Sequence, residues 1–254
     1  MTLDIIGNIA IIKPSTRKKE KEFASKLLKQ KNIKTVAIKA SRVKGRLRLM
    51  KLKIIAGEKT KETIHKENNC KIKLDIETCY FSPRLASDRL EIAKQVKNNE
   101  RILVMFGGVA PYPLVIAKNS KAKEIYTIEL NRIACKYAEE NVKLNKLNNI
   151  RIVRGDVKKV IKKFKKQQIK FDRIVMPRPQ LKETFLKQAF LVCKKGTIIH
   201  FYDFLKENEI PDAAIKKIEK HAKKSKKRIK ILKWKKVGEL APYKFRIRVD
   251  FKVI

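Results

Sequence analysis

Acidic residues are the scarce class in this chain: 25 Asp and Glu stand against 65 Lys and Arg, a formal net charge of +40 over 254 residues. A lysine excess tied to high temperature normally raises glutamate with it. Here the acids lag, so the excess reads as a field for a polyanion, with nucleic acid the first candidate. Long apolar runs are missing too, none approaching the length that spans a bilayer, which makes a membrane surface the weaker polyanion. Met1-Thr2-Leu3-Asp4 opens without the basic and apolar regions of a secretory signal. The cysteines, Cys70, Cys79, Cys135 and Cys193, show no C-x-x-C spacing and no nearby histidine cluster. That argues against a zinc site or a disulfide framework, and buried thiols in a reducing cytoplasm are the expectation. The G-x-G-x-x-G spacing of dinucleotide enzymes is absent as well. What is present is 43% hydrophobic content, which supports a buried core in one large domain or two modest ones.

The chain is organised around Arg101 to Asp156. Ile102-Leu103-Val104-Met105-Phe106 is an unbroken apolar run of strand length, as expected of a strand covered on both faces. Gly107 and Gly108 follow, and Pro111 stands where a helix can begin. Strand, glycine turn and helix start make a cradle where backbone approaches a ligand closely. A second strand, Ile125 to Ile128, ends in Glu129, placed to take two ribose hydroxyls. A third, Ile150 to Val153, ends in Gly155-Asp156, a polar tip suited to an exocyclic amine such as that of adenine. Together they point to a nucleoside cofactor; the other reading is ordinary loop glycines and solvated acids.

Upstream, Ile5 to Ile12 reads as a strand, Lys18 to Lys31 as a basic helix and Thr35 to Ile38 as a short strand. Arg46 to Ile54 alternates strictly between basic and apolar residues, predicting a strand with one buried face and a row of cations on the other. Its arginines suit phosphate, and a solvated edge strand is the alternative. Strands at Thr60 to His65 and Lys71 to Ile76 complete a small basic unit over residues 1–76, followed by a second over 77–254. Tyr80-Phe81-Ser82-Pro83-Arg84 leads into a helix to about Val96, with Asp88 and Arg89 one turn in. Phe171 to Val175 forms a fourth strand ending in Met176-Pro177-Arg178-Pro179, a stiff turn beside the cofactor. Leu181 to Cys193 reads as a helix, Gly196 to Phe204 as a strand, and a further helix starts near Ile210. Ile229 to Val237 and Lys244 to Val253 are the last strands. The alternation from residue 101 predicts an α/β fold with a doubly wound, mostly parallel sheet closed by antiparallel strands.

These residues resemble the archaeal and eukaryotic tRNA guanine-37 N1-methyltransferases. The match runs from Asp4-Ile5-Ile6-Gly7 through Ile54-Ile55-Ala56-Gly57, Thr63-Ile64-His65-Lys66-Glu67-Asn68 and Tyr80-Phe81-Ser82-Pro83-Arg84-Leu85. It continues through the Phe106 to Pro111 turn, Ile128-Glu129-Leu130-Asn131, Asn141 to Asn145 and Ile198-Ile199-His200-Phe201-Tyr202, and so covers essentially the whole chain. The phrase from Phe81 to Leu85 is its most specific part. The resemblance implies a seven-stranded methyltransferase sheet beside a smaller N-terminal α+β domain, S-adenosyl-L-methionine as cofactor, no metal, and a monomer in the cytoplasm.

The resemblance implies that Tyr80 would pack near the target base, Asp88 would take the proton from guanine N1, and Arg48 would stabilise charge developing on O6. The implied cofactor-binding set is Ser82, Arg89, Phe106, Gly107, Gly108, Glu129, Leu130, Gly155, Asp156 and Val157. The partner is the anticodon loop of tRNA, whose target base is turned out of its stack. There are departures. Val104 stands where the family has aspartate, and Gly107, Gly108 and Ala110 where it has an alanine-glycine pattern. Asp88 replaces its glutamate, and Pro177-Arg178-Pro179 its asparagine-leucine-proline. The chain also begins where the family's second domain begins, so its outermost N-terminal domain is expected to be lacking. Pro177 resembles the archaeal branch that also methylates carbon 7 of 4-demethylwyosine, which points to tRNA-Phe. The rivals are a methyltransferase of another RNA, such as ribosomal RNA, and a non-catalytic RNA-binding protein on the same scaffold.

Overall fold

A computed structural model describes residues 3–41, 45, 47 and 49–254 of the chain. The expectation placed on Arg48 lies outside the described residues. At the N-terminus a four-stranded sheet runs in the order β1 (Leu3–Ile6), β2 (Ile9–Ile12), β3 (Thr35–Lys39), β4 (Leu52–Gly57), with α1 (Arg17–Leu28) crossing between β2 and β3. Where a single strand was expected over Ile5 to Ile12 there is a hairpin, Ile6 pairing with Ile9. Gly7 turns it at φ +56°, and a Cβ there would come within 2.1 Å of Thr63 Oγ1. Of the alternating segment 46–54, Leu52 to Ile54 lie in β4, while Met50 and Lys51 do not. β3 ends at Lys39, and the next two backbone N–H groups, of Ala40 and Ser41, both turn to the Lys51 carbonyl, so the paired register of β3 and β4 stops at Leu52.

A hairpin of β5 (Glu62–Glu67) and β6 (Cys70–Asp75) follows. It bridges the two parts of the molecule. Asn8 donates through its backbone N–H to Thr63 Oγ1 at 3.1 Å on one side, while Ile72 and Leu74 join the core of the large sheet on the other.

That sheet has seven strands in the order β12-β13-β11-β10-β7-β8-β9. They are β7 (Arg101–Met105), β8 (Glu124–Glu129), β9 (Ile150–Arg154), β10 (Phe171–Met176), β11 (Cys193–Lys206), β12 (Ile229–Ala241) and β13 (Lys244–Val253). β9, β8, β7, β10 and β11 are parallel; β13 and β12 close the edge antiparallel. Alternation along β7 sends Ile102 and Val104 to one core, with α2 (Ala86–Gln95), α3 (Pro111–Asn119) and α4 (Arg132–Leu144). Leu103 and Met105 go to the other, with α5 (Val157–Lys166), α6 (Leu186–Val192) and α7 (Asp212–Lys224). From β7 the chain winds outward through β8 and β9, then returns to lay β10 on β7's other side. The crevice beyond the carboxyl ends of β7 and β10 is therefore the switch point where such sheets bind ligands.

The helix expected over Leu181 to Cys193 is shorter, starting only at Leu186. The Arg178 guanidinium explains this. It donates to the carbonyls of Leu181 at 2.9 Å, Glu183 at 3.3 Å and Pro179 at 3.4 Å, taking acceptors that a helix would need.

Asn141, fully buried on α4, holds the hairpin to the sheet. Its amide oxygen accepts from the Lys73 N–H at 2.7 Å, and its amide nitrogen donates to the carbonyls of Lys73 at 2.9 Å and Val109 at 3.1 Å. Asn141→Ala strands three backbone groups, two on half-buried Lys73 and one on buried Val109. It is expected to cost roughly 2–4 kcal/mol of stability, read as a lowered urea midpoint with unchanged slope.

Candidate active site

The turn after β7 is conformationally demanding. Phe106, Gly108 and Ala110 all have positive φ, at 62°, 57° and 68°. Two of the three are not glycine, so the surroundings must hold them there. Glu129, at the tip of β8, does much of that work. Its carboxylate accepts from the N–H of Gly108 at 2.7 Å and from those of Leu130 and Asn131 at 2.8 and 2.7 Å. The Gly107 N–H goes to the Ile128 carbonyl at 2.9 Å. Val104 offers this turn no polar group, and β8 supplies the bonds instead. Gly107 is pressed against Thr127, whose Oγ1 lies 1.9 Å from where a Cβ would be. A Cβ on Gly108 would meet only the Tyr80 carbonyl, at 3.6 Å.

Gly108 thus opens onto a cavity at the switch point. Tyr80, Ser82 and Arg89 line one side and Leu130, Gly155, Asp156 and Val157 another. Pro177, Leu181 and Phe185 form a third wall. Phe106 and Phe185 meet edge to face at 4.9 Å. Asp156 caps α5 by accepting from the Lys158 N–H at 2.7 Å, and Arg89 is held by Glu67 through two bonds of 2.5 Å. Arg178 fastens the Pro177 turn. Buried, it is paired with Asp203, donates to the Tyr202 carbonyl at 2.9 Å, and lies between the rings of Phe201 and Phe204.

Every residue expected to bind cofactor is among those lining this cavity, together with Tyr80 and Pro177. Asp88 is not. Its carboxylate, 2% exposed, sits behind the wall, accepting from the hydroxyls of Tyr112, at 2.7 Å, and Tyr202, and paired with Arg248. Burial, then the Asp88 charge, pushes both phenols well above their usual range, so they remain donors. Only Tyr112 of this group lines the cavity. Sequence reasoning passed over Tyr112, Phe185 and Arg246. For Arg246 a signal existed: Lys244-Phe245-Arg246-Ile247-Arg248 alternates like 46–54.

The TRM5/TYW2 methyltransferase domain matches residues 63–232, and the TYW2 N-terminal domain matches residues 3–60. The chain belongs to the TRM5/TYW2 family. It is 36% identical to the Pyrococcus abyssi tRNA (guanine(37)-N(1))-methyltransferase Trm5b, over 99% of this chain and 74% of the relative, whose crystal structure superposes with a TM-score of 0.88. It is also 36% identical to the Nanoarchaeum equitans tRNA (guanine(37)-N(1))/4-demethylwyosine(37)-methyltransferase Taw22, over the whole of both chains. The structure of M. jannaschii TYW2 in complex with AdoMet matches with a TM-score of 0.75 at 25% identity, again over the whole of both chains. AdoMet, S-adenosylmethionine, is the ligand in that neighbour's structure. The cavity fits it: the opening at Gly108 admits a close backbone approach, and carboxylates stand beside apolar walls.

Behind the Tyr112–Asp88 pair the ionic chain continues. Arg248 also bonds Asp250 at 2.9 Å and Glu91 at 2.5 Å, and Asp250 meets His200 Nδ1 at 2.7 Å. Arg173 donates to His200 Nε2 at 2.8 Å, so the proton of a neutral His200 is on Nδ1. Burial lowers the His200 pKa from its ordinary 6.5, and Arg173 and Arg248 oppose protonation further. Burial disfavours the Asp250 charge, but His200 and Arg248 outweigh it and hold its pKa down. Below pH 6.5 the unfolded chain takes a proton at residue 200 that the native state refuses, so stability falls with pH. The loss approaches about 1.4 kcal/mol per pH unit per such group. Urea unfolding in steps below pH 6.5 should show this decline, and His200→Gln should make it shallower.

Proposed function

We propose that this chain is an S-adenosylmethionine-dependent tRNA methyltransferase acting on the purine at position 37. In this reading it methylates N1 of guanosine and carbon 7 of 4-demethylwyosine in wyosine biosynthesis, tRNA-Phe being a natural substrate. The observation that carries the second activity is Pro177, which presents a rigid ring to the cavity at the end of β10. Asparagine there would offer both a donor and an acceptor to a guanine edge; proline leaves a drier wall that suits a flat tricycle. The Nanoarchaeum relative, similar over its full length, carries both activities in its name.

The bound cofactor supplies an electrophilic methyl on a sulfonium. Glu129 would hold its ribose and Asp156 its adenine, with Leu130 and Val157 as apolar walls and Ser82, Arg89 and Gly108 lining the rest of the cavity. Tyr80 stacks on the target base. The proton of guanine N1 passes to the Tyr112 hydroxyl as Tyr112 gives its own to Asp88, since Tyr112 is the member of that pair lining the cavity. Arg48 keeps the role of stabilising charge on O6.

Asp88→Asn and Tyr112→Phe should therefore each slow single-turnover N1 methylation by about a hundredfold or more, leaving cofactor and tRNA affinity unchanged. They should slow carbon 7 transfer less. A loss below about threefold in both variants would reduce the pair to a packing role.

The decisive assay treats tRNA bearing guanosine 37 and tRNA bearing the tricycle with the protein and S-adenosylmethionine, followed by nucleoside mass spectrometry. Methyl on both nucleosides is expected. Pro177→Asn should shift the ratio of specificity constants about tenfold toward guanosine, the worth of one hydrogen bond. A sulfonium has three carbons open to displacement, so an aminocarboxypropyl product would overturn methyl transfer to the tricycle. Modification confined to another RNA would overturn the tRNA assignment, and no cofactor binding would leave an RNA-binding protein.

A further inference from the structure

The cavity does not end at Tyr80. Beyond that ring lies a second groove between the N-terminal sheet and the β12–β13 hairpin, lined by Met50, Val237 and Leu240 together with Lys39 and Arg84. Tyr80 and Arg246 line both spaces, and the Arg246 guanidinium donates to the Tyr80 hydroxyl at 3.3 Å. Four arginines line the two spaces, and three of them are neutralised: Arg84 by Asp4, Arg89 by Glu67 and Arg178 by Asp203. Half-buried Arg246 meets no carboxylate among the described residues. Its guanidinium lies 5.1 Å from the centre of the Phe204 ring, a contact that orients the fork without cancelling its charge.

An oriented guanidinium without a counter-ion, set in a cavity wall, is matched to a phosphate. The adjoining groove combines apolar surface with cations, as sites for single-stranded nucleic acid do. We propose that this groove receives the nucleotide next to the target base in the RNA strand, that Arg246 binds the phosphate joining the two, and that Tyr80 partitions the two bases. This rests on the RNA-modifying reading above. Asp4 and Glu239 also line the groove. Asp4 is occupied by Lys39 and Arg84, and neither it nor Glu239 pairs with Arg246, whose guanidinium is uncompensated among the described residues.

The test measures binding of anticodon stem-loops, with S-adenosylhomocysteine present, in which one phosphate flanking the target nucleoside is replaced by a neutral methylphosphonate. Wild type should lose about tenfold to a hundredfold in affinity at one of the two linkages. Arg246→Ala should bind the unmodified RNA more weakly by a similar factor and be indifferent to that linkage. Its log–log salt slope should be smaller by about 0.7, and its S-adenosylmethionine affinity, by calorimetry, should equal wild type. Arg246→Lys should recover part of the RNA affinity. The phosphate site is overturned if Arg246→Ala keeps the wild-type sensitivity at both linkages, or weakens the cofactor and not the RNA. Wild-type protein that shows this linkage pattern yet leaves the target base unmodified would instead overturn the proposed reaction while the phosphate site stands. Failure to bind the stem-loop at all overturns both.

Discussion

Among the described residues four guanidiniums lie inside the protein, and the shape of the site depends on how each is neutralised. Arg89 with Glu67 ties the hairpin to α2 at the cavity wall. Arg173 with Glu100 joins β10 to the approach of β7. Arg178 with Asp203 fixes the Pro177 turn, and Arg248 with Asp88 and Asp250 joins α2 to β13. Buried ion pairs are poor sources of net stability, because desolvation offsets most of the attraction, but losing one partner is severe, on the order of 3–5 kcal/mol. Their effect here is positional. Each pair joins two elements that contribute to the cavity or its support, and each admits one geometry, since a guanidinium bonds only where its fork is met.

The acids are scarce, and the interior holds some of them. With 25 carboxylates in the whole chain, several of the most buried are engaged with interior arginines, and Glu129 is engaged with the backbone of the turn. The lysine-rich outer surface is left with little to cancel it. A strongly cationic exterior and a precisely charged interior are thus two consequences of one composition, and the field that draws a polyanion costs the fold nothing it needs inside.

Much of the sheet was legible because its signals are local. The apolar run Ile102 to Phe106, the glycines after it and the acids at Glu129 and Asp156 each follow from strand burial and turn chemistry, and they converge on one cavity. What the sequence hid was which groups meet, whether near or far along the chain. Nothing near Leu181 announces that a guanidinium three residues earlier will take its carbonyl, so the helix was drawn too long. The alternation at 46–54 is a genuine strand pattern, but a strand exists only where a partner continues, and β3 stops at Lys39. Gly7 in a run of isoleucines gave no period break, though its positive φ makes the hairpin. For Asp88, sequence position said that it lies one turn into α2 but not which way the carboxylate points. Its direction is set by Tyr112, Tyr202 and Arg248, residues 24, 114 and 160 positions away.

The enclosure of Asp88 bears on the chemistry. A carboxylate exposed in the cavity would be hydrated and free to meet any cation of this lysine-rich protein. Enclosed by two phenols and a guanidinium, it is buried and oriented, and of these partners only Tyr112 lines the cavity. Guanine N1 is itself a weak acid, and its proton becomes easier to remove as positive charge is placed against O6 and as the methyl begins to bond. Proton removal thus depends on the cations around the base as much as on the group that accepts it. In the reaction proposed above, that division would let a buried, fixed acceptor suffice.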